Sequence, residues 1–191
     1  GPTSQASASK ISETPSSALM VPKASPPACR RNGRTRVWVP VDMALTGEYE
    51  PSPEAWVRDQ VAEFEASNGQ RANTLPDHPE WRIVVITSRG AKSGKLRKNP
   101  VMRVEKDGVY AAVASKGGSP EHPTWYHNFL AHPEVDLQDG AEKHTYRARV
   151  AEGAERAEWW ERAVATYSPY AEYRQKTDRE IPVFILERVE G

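Results

Sequence analysis

Two Asp-Gly pairs, Asp107-Gly108 and Asp139-Gly140, each sit between runs rich in β-forming residues. Asp-Gly suits the positive φ angles of a tight hairpin turn. Strands joined so tightly must run antiparallel, because parallel neighbours need a crossover of about a dozen residues or more. The first pair predicts strands over Pro100–Glu105 and Val109–Ser115, and the second predicts strands over Val135–Gln138 and Lys143–Val150. Trp81–Thr87 is a continuous apolar run that reads as a strand buried on both faces, and Pro182–Arg188 reads as a last strand. Six or so strands arranged mostly as hairpins do not match the β-α alternation of a doubly wound sheet. The expected fold is mainly β with peripheral helices (α+β), an antiparallel barrel.

The helices announce themselves by caps and spacing. Ser52 reads as an N-cap, with Pro53 at the first helical position and Glu54 in the first turn. Trp56, Val57, Val61 and Phe64 follow as an apolar stripe, and Asn68-Gly69 ends the helix. A short helix is expected over Pro123–Leu130, stopped by His132-Pro133. Another covers Ala154–Thr166 with Trp160, Ala163, Val164 and Tyr167 on one side, and Ser168-Pro169 restarts a helix through Lys176.

Composition removes several classes. Lys plus Arg and Asp plus Glu are 26 each, so no global charge draws the chain to nucleic acid or to an acidic membrane. The one cysteine, Cys29, allows neither an intrachain disulfide nor a cysteine-rich zinc site, and suits a reducing cytoplasm. No apolar run reaches the ~20 residues that span a bilayer, and no signal-peptide apolar core follows the N-terminus. Residues 1–45 are expected to be a disordered extension before a folded 46–191 domain: residues 1–36 are rich in Ser, Pro, Ala, Lys and Arg, and too apolar-poor to offset ordering entropy. Gly1-Pro2 reads as a protease-cleavage remnant, and Met43 as a candidate natural start.

Against this neutral background, "SRGAKSGKLRKNP" stands out. It carries five cations and no acid between Arg89 and Lys98. It is not a phosphate-binding P-loop: Gly90 to Gly94 is one residue too short, and Leu96 occupies the Ser or Thr position. Gly90 and Gly94 permit close backbone approach, Ser93 adds a hydroxyl, and Lys92, Lys95, Arg97 and Lys98 can bond phosphate or carboxylate. A solvated surface loop is the alternative reading.

In "VASKGGSPEHPTWYHN", a strand end delivers Ser115 and Lys116 into a Gly-Gly turn and then a helix N-terminus, a combination that favours anions. Trp125 and Tyr126 are equally suited to a core, and Asn128 lies three positions beyond Trp125. Tyr167, Tyr170 and Tyr173 share a spacing that puts them near one helix face, either as a packed aromatic edge or as the wall of a slot for a flat ligand. His122, His127 and His132 recur every five residues, which spreads them around a helix and argues against a metal site. No H-E-x-x-H, G-x-S-x-G or G-x-G-x-x-G motif is present.

Taken in order, Ile86-Thr87, "GAKSGKLRKNPVM", "ASKGG", "HPTWYHN", "TYSPYAEY" and "TDREIPVF" resemble the deazaflavin-dependent nitroreductases, actinobacterial quinone reductases that use reduced coenzyme F420. The resemblance spans about residues 46 to 189. It implies a split β-barrel related to FMN-binding oxidoreductases, and a hydride passed from the reduced cofactor to quinones, nitroaromatics or activated enones. It implies tail contacts at Lys92, Ser93, Arg97 and Lys98, with Lys116 on the phosphate side. Val113, Ala114 and Ser115 would line the ring, with Asn99, Pro100, Val101 and Met102 beside it. Thr124, Trp125, Tyr126, His127 and Asn128 would form the next wall. Tyr170 and Ser115 would act at the reacting centre, while Tyr167 and Tyr173 shape the substrate side. Ala91 stands where the best-known members have Arg, and Lys98 replaces an apolar residue and is expected to compensate. Met102 stands where some members have an aromatic. A quinone-like acceptor, a homodimer as in related barrels, no nucleic-acid partner and a cytoplasmic location, with peripheral contact at the inner membrane face, complete the expectation. A non-catalytic F420 carrier and an FMN reductase on the same barrel are the alternatives.

Overall fold

The computed structural model describes residues 45–189. The expected extension through residue 44, including Cys29 and Met43, lies outside the described residues. Eight strands form one sheet: β1 (Thr74–Leu75), β2 (His78–Arg89), β3 (Leu96–Met102), β4 (Val104–Lys106), β5 (Val109–Val113), β6 (Glu134–Asp139), β7 (Glu142–Val150) and β8 (Val183–Arg188). The order is β1-β2-β6-β7-β8-β5-β4, with β3 also on β2, and every pairing between these strands is antiparallel. The helices are α1 (Ala55–Ala66), α2 (Thr124–Ala131), α3 (Gly153–Thr166) and α4 (Pro169–Lys176), and a single 3₁₀ turn covers Lys116–Gly118. This is the expected split barrel with peripheral helices.

Both Asp-Gly pairs mark hairpins, but at the second Asp139 stays in β6 opposite Glu142 and the turn falls on Gly140 and Ala141, with a φ of 58° at Gly140. Asp107 and Gly108 have φ of 52° and 80°, and β4 and β5 pair across them. Strand β2 is apolar on both faces because it divides two cores. Ile83 and Val85 face a core with Val57, Val61 and Phe64 of α1, while Val84 and Ile86 face one with Phe129, Val135 and Leu137. The period of two does the sorting. Strand β8 repeats it, sending Val183 and Ile185 to the first core and Phe184 and Leu186 to the second. Each such side chain, fully buried, contributes about 1.5–3 kcal/mol.

Three expectations shift. Helix α1 starts at Ala55 with Glu54 as its N-cap, and Ser52 instead accepts the Glu54 N–H at 3.2 Å. Val57, Val61 and Phe64 are one stripe of that helix, and Trp56, a residue out of phase, is 60% exposed rather than in the core. The cation-rich segment is mostly strand: β3 begins at Leu96, and its register pairs Arg97 with Ser88 and Lys98 with Thr87, leaving Gly90–Lys95 as the connection.

Candidate active site

A cleft of about 510 Å³ opens between α1, β3, the 3₁₀ turn, the start of α2 and the tyrosine helix. It gathers most of the expected residues: Arg97, Asn99, Pro100, Val101 and Met102 from β3, then Val113, Ser115 and Lys116, then Thr124, Trp125 and Asn128, and Tyr167, Tyr170 and Tyr173. Lys92, Ser93, Lys98, Ala114, Tyr126 and His127 do not line it. Helix α1 supplies a wall not foreseen, with Trp56, Val57 and Gln60 on the cleft. Trp56 Nε1 donates to Glu54 Oε2 at 2.7 Å, which holds the indole at that edge. The signal available in the sequence was a large aromatic out of phase with its helix's apolar stripe.

The basic end is already partly neutralised. Arg97 pairs with Glu50 at 2.9 Å, and Lys95 approaches Glu48 at 3.9 Å. Lys98 is held by both carboxylate oxygens of Glu65, at 2.7 and 2.8 Å, and lies over the Tyr49 ring. With its side chain 17% exposed, Lys98 is turned to α1, so the expected compensation for Ala91 is not what its geometry offers. Arg89 spends its guanidinium on the carbonyls of Gly94 and Thr46. Lys92 has no acidic partner among the described residues. The connection itself is tight: Gly90 N donates to Lys95 O at 2.7 Å, and Gly94 N to Gly90 O at 3.0 Å. Asn128 Oδ1 accepts the Ala91 N–H at 2.9 Å, tying this tip to α2.

The other end is built from backbone geometry. Ser115 is right-handed (φ −79°, ψ −37°), and Lys116, Gly117 and Gly118 follow with φ of 44°, 64° and 81°. A right-handed residue followed by a left-handed one cups its N–H groups into an anion-receptive nest. A positive φ at lysine is uncommon and is retained only where surroundings impose it. The turn packs on α4 two residues later: a Cβ added at Gly118 would sit 2.9 Å from the Tyr173 carbonyl oxygen. The Lys116 ammonium lies 3.7 Å from Glu121.

The tyrosines form the aromatic side. Tyr170 is 4% exposed, and its ring meets Tyr167 edge-on at 4.9 Å. Tyr167 and Tyr173 share a hydroxyl–hydroxyl bond of 3.0 Å, so they satisfy each other. The hydroxyls of Tyr170 and Ser115 make no hydrogen bond among the described residues. Burial, then its two tyrosine neighbours, pushes the Tyr170 phenol far up, and burial followed by the Tyr173 bond does the same to Tyr167. Both stay protonated through the working pH range, able to donate a hydrogen bond and unable to titrate. Tyr126 stacks instead on His122 at 4.0 Å, and Tyr126 and His127 meet edge-on on the flank of α2. No cluster of three or more His, Cys, Asp or Glu side chains able to hold a metal occurs among the described residues, and no helix there is long and apolar enough to cross a membrane.

The residues fit a flat, tailed anion. One end offers Arg97, with Lys92 beyond the cleft lining, the other offers a strained nest, and the aromatic walls carry two unpartnered hydroxyls. A model of the F420H(2)-dependent quinone reductase family matches residues 56–188, and the chain belongs to that family. It is therefore an F420H2-dependent reductase, with coenzyme F420 as its cofactor. An F420H(2)-dependent quinone reductase of Mycobacterium tuberculosis is 30% identical over 128 residues, covering 65% of this chain and 85% of that protein. A solved F420-H2 dependent reductase shares 58% identity with a TM-score of 0.53, covering 55% of this chain and 93% of its own. A second solved chain, titled as a domain-swapped dimer, shares 50% identity with a TM-score of 0.56 and covers 71% of this chain and 100% of its own.

Proposed function

We propose that this chain reduces quinones at the described cleft, and that nitroaromatics and activated enones of similar flat shape enter the same slot. The observation that carries this is the pair of unpartnered hydroxyls, Ser115 and Tyr170, facing a cleft with aromatic walls. When bound, the reduced coenzyme supplies the hydride. The protein supplies position and charge. Arg97 on the cleft and Lys92 beyond its lining hold the anionic tail, and the Ser115–Lys116 nest takes the phosphate. Val113, Val101 and Met102 present apolar surface to a ring, and Tyr167 with Tyr173 fixes the slot width through their mutual bond. Negative charge growing on an acceptor oxygen is met by the hydroxyl protons of Tyr170 and Ser115, donors that need no reorganisation. Because Tyr170 remains a phenol, it stabilises by hydrogen bonding, and solvent protons complete the product.

A paired assembly belongs to the same proposal, supported by the neighbour titled as a domain-swapped dimer; light scattering at twice the chain mass is the expected result. The activity is tested by mixing purified protein, the reduced coenzyme and menadione, and following cofactor absorbance. Enzyme-dependent oxidation with menadione, slower with a nitroaromatic and an enone, is expected. No oxidation with any quinone, despite tight cofactor binding, would overturn the reading in favour of a carrier.

A further inference from the structure

We propose that Arg179 is a positioning residue: its guanidinium clamps the segment from Ala114 to His122 in its ligand-receiving shape, and His122 gates the clamp by pH. The cofactor part of this rests on the proposed function; the clamp itself does not.

Arg179 lies in the connector between α4 and β8. Its Nε donates to Ser119 O at 2.9 Å, its Nη2 to Ser115 O at 2.8 Å and Ala114 O at 3.2 Å, and its Nη1 to His122 Nδ1 at 3.1 Å. One planar group thus grips three carbonyls and a ring of a single loop. No acid pairs with it among the described residues, unlike Arg103, Arg149 and Arg156. A guanidinium used without a carboxylate leaves its charge uncompensated directly behind Ser115 and Lys116, where an anion is to be received. The grip also accounts for the left-handed Lys116, since strained backbone persists only when its surroundings over-determine it. Gly118 against Tyr173 docks the same loop on α4, so the loop and the tyrosine wall are fixed to each other from two sides.

The fourth bond sets a condition. His122 Nδ1 must accept, so the imidazole must be neutral with its proton on Nε2. The groups facing it are Arg179, the stacked Tyr126 and, at 6.2 Å, His127, with Glu121 next in the chain turned to Lys116. Burial, then Arg179, then His127 hold the His122 pKa below its ordinary value. A base with a depressed pKa keeps the contact above its unfolded value of about 6.5. The contact is lost as pH falls through the depressed value, when an imidazolium would face the guanidinium.

The test uses the full chain without cofactor. Histidine side-chain NMR follows His122, and hydrogen exchange follows the amides of Gly118 and Ser119, which donate to Ser115 O and Lys116 O, with β2 and β8 amides as the control for folding. In Arg179→Met the His122 pKa should rise toward its ordinary value, and Gly118 and Ser119 should exchange at least about tenfold faster, with the β2 and β8 amides unchanged. Arg179→Lys keeps the charge and loses the fork, so the His122 pKa should stay low while loop protection drops. Added guanidinium ion should restore protection to Arg179→Ala. Wild type should lose loop protection below the His122 midpoint; this arm stands even if the substitutions fail to fold. Coenzyme F420 titrated by tryptophan fluorescence should bind Arg179→Met about tenfold more weakly than wild type. Unchanged loop exchange and an unmoved His122 pKa in Arg179→Met would overturn the proposal. So would a loosened loop with undiminished coenzyme affinity. Failure of wild type to bind the coenzyme would overturn the functional reading and leave the clamp standing.

Discussion

The two anion-facing segments of the cleft are built on opposite plans. The Gly90–Lys98 side is dense in cations, yet Lys95, Arg97 and Lys98 already have carboxylate neighbours in Glu48, Glu50 and Glu65. The Ala114–His122 side has one lysine, a run of left-handed residues and a guanidinium with no acid beside it among the described residues. Charge number therefore overstates the first and understates the second. An opposite charge within about 4 Å weakens a cation's field on a third group, and Lys116 has such a neighbour in Glu121, so the second segment relies on its turn N–H groups and on a guanidinium without an acid beside it.

If backbone geometry governs the second segment, Gly118→Ala should be the most damaging single change. Its φ of 81° and the 2.9 Å approach to Tyr173 leave no room for a methyl group. We expect a loss of about 1–3 kcal/mol in stability, measured by urea unfolding. Wild-type stability would place the loop elsewhere.

Next in size is Tyr170→Phe, which keeps the ring and deletes the unpartnered hydroxyl. Hydride transfer to menadione in a single turnover should slow by about tenfold or more. Tyr167→Phe breaks a bond that two tyrosines make with each other, and should cost about 0.5–1.5 kcal/mol of stability with a smaller effect on rate. Since the Tyr170 phenol is pushed far up, the wild-type rate should show no alkaline inflection from it between pH 7 and about 10. An inflection there that Tyr170→Phe abolishes would show that the phenol titrates.

A further contrast lies within the basic segment. Lys92→Ala should weaken coenzyme binding by about 1–3 kcal/mol, the scale of a bond to a charged group. Lys98→Met should leave that affinity within about twofold and cost roughly 0.2–1 kcal/mol of stability through loss of the Glu65 pair. Equal losses of affinity in both would mean that Lys98 leaves Glu65 to reach the tail.

Local signals made much of this legible. Asp107-Gly108 and Asp139-Gly140 marked hairpins because a tight turn's positive φ is written in its residue types, although at the second pair the turn lies one residue later, on Gly140 and Ala141. The double-faced burial of β2 was visible in its unbroken apolar run. The tyrosine spacing placed three rings on one cleft wall. What escaped depends on distant partners. The strand expected over Pro100–Glu105 is divided between β3 and β4, and the first half of β3 was hidden because Arg97, Lys98 and Asn99 carry low β propensity, which pairing with β2 overrides. Lys98 meets Glu65 across 33 positions, and Arg179 meets Ala114 across 65. Nothing in the spacing of either pair announces such a contact.

On the proposed reading, a polyanionic tail is recognised by the Ser115–Lys116 nest within the cleft and by Lys92 beyond its lining. The most direct test of this reading is a fluorescence titration of the full coenzyme against the same deazaflavin stripped of phosphate and glutamates, at low and high salt. The full coenzyme should bind at least about tenfold more tightly, with the gap narrowing as salt screens the contacts and again in Lys92→Ala. Equal affinities for the two compounds, indifferent to salt, would contradict it.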